Sequence, residues 1–163
     1  MFKSLFKKSE QAITIMAPLS GEVVSLEEVP DQVFSEKMMG DGVAIIPSKN
    51  TLYSPIDGEV VNVFPTKHAI TLRSKEGAEI LIHMGLETVN LGGDGFDIKV
   101  SDGDKVSKGS VLADYDVEKI KGLGYKVITP IILINGEKFA MNQPSTHHQV
   151  TGGMDILLEI TKK

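Results

Sequence analysis

Ala17-Pro18-Leu19-Ser20-Gly21-Glu22-Val23-Val24 recurs 37 positions later as Ser54-Pro55-Ile56-Asp57-Gly58-Glu59-Val60-Val61. Both copies read small–Pro–aliphatic–polar–Gly–Glu–Val–Val. Proline fixes φ and gives no ladder donor, the glycine permits a tight bend, and the valine pair opens a strand. One turn-and-strand unit used twice predicts two pseudo-equivalent halves of a single sandwich. A solenoid would need about three stacked repeats or more.

Working outward, short apolar runs recur with turn formers between them, the rhythm of an all-β sandwich. Strands are expected at 42–47, 59–64, 69–73, 79–84, 99–100, 111–115, 129–134 and 155–160. The runs Ser74-Lys75-Glu76-Gly77, Ser101-Asp102-Gly103-Asp104 and Asn135-Gly136 supply turns. Helix is confined to one turn at 35–39 before Gly40 and another at 116–121 before Gly122. The fold class is therefore a compact antiparallel β-sandwich, a barrel-sandwich hybrid with internal duplication. Residues 1–10 read as a flexible tail and 11–163 as one domain. Within the tail, Phe2, Leu5 and Phe6 with flanking lysines would let a helix graze an anionic membrane weakly.

Composition narrows the function. The chain has 163 residues, 41% hydrophobic and 24% charged, the proportions of a globular domain. A net charge of −5 and a single arginine, Arg73, argue against nucleic acid, whose phosphates call for basic clamps. The absence of cysteine removes disulfides, thiolate ligands and thiol nucleophiles, and fits a reducing cytoplasm. No apolar run approaches the ~20 residues of a membrane span.

Chemistry is expected at His68 and His83, each set in an apolar run. Imidazole can attack, accept a group and release it near neutral pH. Strand alternation places Ile80, Ile82 and Met84 on one face and Glu79, Leu81 and His83 on the other. Gly85 leaves room for an approaching molecule, and its carbonyl could take the hydrogen on Nδ1 of His83, freeing Nε2. Thr66, two before His68, is expected on the same face of one strand. Such a pair suits a nucleophilic histidine that receives a phosphoryl group while a second steadies its oxygens. Phe34, Phe64, Met84, Val89 and Phe96 are read as an apolar patch. Carboxylates at Asp31, Glu36, Asp41, Glu87 and Asp94 would rim it for a basic partner.

The runs Val29–Gly42, Phe64–Ala69, Ile82–Val89, Gly93–Phe96 and Thr129–Ile131 resemble the glucose-type enzyme IIA of the bacterial phosphoenolpyruvate–sugar phosphotransferase system. The resemblance covers the chain from about Ala17 to Ile134, in order. The resemblance implies phosphorylation of His83 on Nε2, with His68 stabilising the phosphoryl group and Thr66 in its hydrogen-bond network. It implies HPr as donor, the IIB domain of a sugar permease as acceptor, and Asp31 and Glu87 facing the partners' basic residues. Regulated transporters or kinases are further partners implied. No cofactor is required; a zinc ion can bridge both histidines to a partner's carboxylate, but two ligands alone make no intrinsic metal site. No IIB or IIC segment is read in the chain, so action in trans is expected. After Ile134 the resemblance loosens, and His147-His148 is read as an exposed loop.

Three other readings compete. Residues 100–112 look like the strand–turn segment of lipoyl and biotinyl domains, but those are about half this length and do not need the histidine pair. A zinc hydrolase needs three ligands and an open position for water, and the required His-x-His spacing is missing. A non-catalytic regulator would use the same surface to bind transporters or kinases, and stoichiometric phosphate transfer separates it from a phosphocarrier.

Overall fold

The computed structural model describes residues 12–163. The expected tail and its membrane-grazing helix lie outside these. Fourteen strands are present among the described residues, every pairing antiparallel: β1 (Ala12–Met16), β2 (Gly21–Ser25), β3 (Asp41–Pro47), β4 (Thr51–Tyr53), β5 (Gly58–Val63), β6 (Ala69–Ser74), β7 (Glu79–His83), β8 (Phe96–Ile98), β9 (Lys105–Val106), β10 (Val111–Tyr115), β11 (Thr129–Leu133), β12 (Phe139–Met141), β13 (His148–Val150) and β14 (Ile156–Lys162). Eight form one sheet in the order β13-β2-β3-β11-β7-β6-β5-β9; two three-stranded sheets, β1-β14-β12 and β4-β10-β8, pack with it. The main core draws side chains from all three, among them Ile15, Ile45, Leu52, Ile82, Leu112 and Ile160. This is an antiparallel β-sandwich.

The duplicated segment sits where the halves meet. Met16 N–H donates to Pro55 O at 2.9 Å, and Tyr53 N–H donates to Pro18 O at 2.8 Å. Each donor lies two residues before its own copy's proline, so the contacts repeat with the sequence. The glycines have a reason other than the expected bend. A Cβ on Gly21 would sit 2.0 Å from Ile46 O, and one on Gly58 2.0 Å from Arg73 O. Each opens a strand (β2 or β5) whose neighbour passes too close for any side chain.

A second, smaller cluster lies on the other face of the large sheet: Val24, Ala44, Ala69, Leu81 and Ile132, roofed by Leu26, Val29, Phe34 and Leu86. Alternation explains it, because Leu81 points away from Ile80 and Ile82, as Ile132 does from Ile131 and Leu133. The middle strands are thus buried on both faces.

Two short α-helices occur among the described residues. The first, α1 (Gln32–Ser35), begins three residues before the turn read at 35–39, because the Asp31 carboxylate caps Val33 N–H at 2.9 Å. It ends where Lys37 takes a left-handed conformation, φ +57°. The second, α2 (Val117–Gly122), is capped by Asp116 and lies where expected. Residues 99–100 do not form the predicted strand; β8 precedes them. His148 opens β13 against Val23 instead of lying in a loop. Among the described residues no helix is long and apolar enough to cross a membrane.

Candidate functional site

Strands β6 and β7 pair with Ala69 opposite His83, and Met84 N–H donates to His68 O at 2.8 Å. His68, the residue before β6, and His83, the last of β7, therefore meet at one end of the large sheet. Their ring centroids lie 4.9 Å apart at 77°, edge to face. Phe34 packs on His83 at 5.0 Å, and Phe64 on His68 at 5.5 Å, also edge-on. The second cluster forms the floor, and its roof residue Phe34 fixes the His83 ring.

Each ring is oriented through Nδ1. The Gly85 carbonyl lies 2.7 Å from His83 Nδ1 and, having only lone pairs, accepts its hydrogen. Nε2 of the neutral ring then carries a free lone pair. Gly85 holds φ +81°, and a Cβ there would lie 2.6 Å from Thr88 Cγ2 and 2.8 Å from Lys126 O. Thr88 Oγ1 donates to Met84 O at 2.7 Å and pins the same turn. Thr66 Oγ1 lies 2.7 Å from His68 Nδ1. The two residues share a turn between β5 and β6, with Lys67 left-handed at φ +63°, and not a strand face. The expected neighbours meet by a different geometry.

Both imidazoles are held neutral. Burial, reinforced by the neighbouring His83, pushes His68 down to about 4. Burial also lowers His83, opposed by the Gly85 carbonyl and the Asp31 carboxylate. His68 is buried and His83 half-buried.

The expected docking residues divide. Met84 and Phe96 belong to the main core and Phe34 to the second cluster, so none of the three is the surface contact expected of the apolar patch. Phe64 is half-buried and Val89 exposed. Exposed apolar groups not expected from the sequence include Val33 on α1 and Met38 and Met39 shortly after it. Asp31 and Glu87 line a hollow of about 390 Å3 with Leu86, Tyr125 and Lys126. Asp41 is paired with Lys37 at 3.5 Å and Asp94 with Lys119 at 2.6 Å, so both carboxylates already have a cation. Glu36 is exposed at the C-cap of α1. His147 lies far along the chain from the pair and faces Glu22 and Glu28 at 3.4 and 3.0 Å.

Fold and site together define a class: a duplicated antiparallel β-sandwich with two neutral, individually oriented imidazoles at one end of its large sheet. Residues 13–139 match the family model described as phosphoenolpyruvate-dependent sugar phosphotransferase system, EIIA 1. The chain belongs to that family. The PTS system glucose-specific EIIA component of Oceanobacillus iheyensis is 47% identical over 98% of this chain and 99% of its own length. That of Bacillus cereus is 45% identical over the whole of both. The solved glucose permease IIA from Mycoplasma capricolum superposes with a TM-score of 0.82 at 37% identity, covering 91% of this chain and 95% of that one. Proteins of this family carry phosphoryl groups from HPr to the IIB domain of a sugar permease, and this chain is a phosphotransferase component of that system.

Proposed function

We propose that His83 is the phosphoryl acceptor, taking the group from phospho-HPr and passing it to the IIB domain of a glucose-type permease in the cytoplasm. The observation that supports this is the hydrogen bond from His83 Nδ1–H to Gly85 O at 2.7 Å, which leaves Nε2 as the free nucleophile beside a second ring. The Nε2 lone pair attacks phosphorus, the bond from phosphorus to the donor breaks, and the donor group leaves with that bond's electron pair. Transfer to the acceptor reverses these roles.

His68 serves as the stabiliser. With Thr66 Oγ1–H donating to Nδ1, the hydrogen of His68 sits on Nε2, directed at the oxygens of the transferring group. Burial keeps both rings uncharged, so the nucleophile is not lost to a proton near neutral pH. Val33, Met38, Met39 and Val89 form the exposed apolar contact, with Asp31 and Glu87 as its acidic flank. The two rings also suit half of a zinc site. Among the described residues no cluster of three or more His, Cys, Asp or Glu side chains is arranged to hold a metal. A shared zinc would need a carboxylate from a partner.

The test is intact mass after incubation with phosphoenolpyruvate, enzyme I and HPr. The expected result is one acid-labile phosphate on the wild type and none on His83→Ala. His68→Gln should still take the phosphate but pass it on at least ~100-fold more slowly. Loss of acceptance in His68→Gln, with retention in His83→Ala, would reverse the two roles.

A further inference from the structure

Methionine is the sulfur this chain has: seven residues against no cysteine. The described ones differ sharply in exposure. Met84, next in sequence to His83, is 0% exposed, whereas Met38 is 70% and Met154 75% exposed. Met39 is 41% exposed. Met38 and Met39 lie three and four residues past the end of α1, whose Phe34 packs on His83. Their turn is fixed in place. Met38 N–H donates to Val33 O at 3.1 Å, and Lys37 is tied to Glu27 at 3.2 Å and to Asp41 at 3.5 Å. With that backbone held on both sides, the Met38 side chain is kept on the surface.

We propose that Met38, with Met39, is an oxidation-sensitive element of the docking face, modified by peroxide-class oxidants and slowing phosphoryl transfer when modified. The inference rests on the function proposed above. The thioether sulfur attacks one oxygen of hydrogen peroxide, the O–O bond breaks, and the sulfur keeps that oxygen as a sulfoxide. The other oxygen leaves as water, so peroxide is reduced by the two electrons that sulfur gives up. A flexible apolar side chain becomes a strongly polar one. A partner that covers it must desolvate the new S–O dipole without a matched donor. His68 and His83 are untouched, so the effect falls on docking and not on the nucleophile.

Met154 supplies an internal control. It lies in the turn before β14, beside Gly153, whose neighbour is the Tyr53 ring of another sheet. It should oxidise as readily as Met38 without touching the docking face.

The experiment treats the purified protein with graded hydrogen peroxide, maps sulfoxides by peptide mass spectrometry, and follows transfer from phospho-HPr. Met38 and Met154 should convert first and Met84 last. Apparent KM for phospho-HPr should rise roughly tenfold while the rate at saturation holds. The double variant Met38→Leu/Met39→Leu, measured against its own untreated rate, should lose none of that rate under the same treatment; methionine sulfoxide reductases should restore the wild type. Full conversion of Met38 with unchanged KM overturns the proposal, as does equal loss in the double variant. Untreated protein that accepts no phosphate overturns the proposed function, and this inference with it.

Discussion

At the scale of single residues, the imidazole pair makes a prediction about protons. A histidine whose folded value is lowered binds its proton more readily in the unfolded chain. The stability it contributes is complete above its ordinary value of 6.5 and is lost as pH falls towards about 4, the His68 value. The loss should be on the order of 1–2 kcal/mol after discounting for the water beside the site. Imidazole NMR titration should place His68 near 4 and His83 below 6.5. Midpoints at or above 6.5 would remove the argument that both rings are neutral. Gly85 makes a separate prediction. Gly85→Ala forces a side chain into a left-handed position against Thr88 and Lys126. It should cost roughly 2 kcal/mol or more and weaken the carbonyl that orients His83, both read from denaturation and phosphate uptake. His68, His83 and the Gly85 carbonyl were readable from the chain itself, because an imidazole near a glycine at a strand end is a local pattern. The Thr66–His68 contact was reached for the wrong reason: a left-handed Lys67 makes the pair, and nothing in the spelling of Thr-Lys-His announces that turn.

At the scale of elements, the second cluster links packing to chemistry. Leu81 lies in that cluster with Phe34, which in turn backs the His83 ring. Leu81→Ala should cost about 2–5 kcal/mol and also reduce transfer, whereas Leu72→Ala in the main core should cost as much while leaving the surviving folded fraction fully active. Urea titration paired with a phosphorylation assay separates these outcomes. Strands β3, β5, β6, β7, β10, β11 and β14 were legible because five or more alternating or apolar residues carry a period, whereas β1, equally long, was not expected. The two- and three-residue strands β4, β8, β9, β12 and β13 carry none, and their hydrogen bonds come from neighbours set by the fold. The same limit bears on Met84. Alternation says which side chains share a face, and in a sandwich whose middle strands are covered on both sides it does not say which face meets water. Helix α1 was misplaced for a local reason, since Asp31 caps it earlier than the Gly40 stop suggests.

At the scale of the whole molecule, the repeat has a thermodynamic consequence. The two copies bond to each other through Pro18 and Pro55, and the main core draws on all three sheets. Neither half has a surface to fold against without the other. Urea unfolding followed by far-ultraviolet circular dichroism and by fluorescence of the three tyrosines should give superimposable curves. Two separated transitions would mean that the halves are independent units. The placement of both rings at one end of one sheet also sets the order of events. On the proposed reading, donor and acceptor use the same patch and the same nitrogen, so no complex of all three proteins is productive. Initial-rate plots should therefore be parallel lines, the signature of a double displacement, with an excess of either partner inhibiting the other. Flux through such a relay peaks when its two neighbours are balanced, whatever the affinity of each.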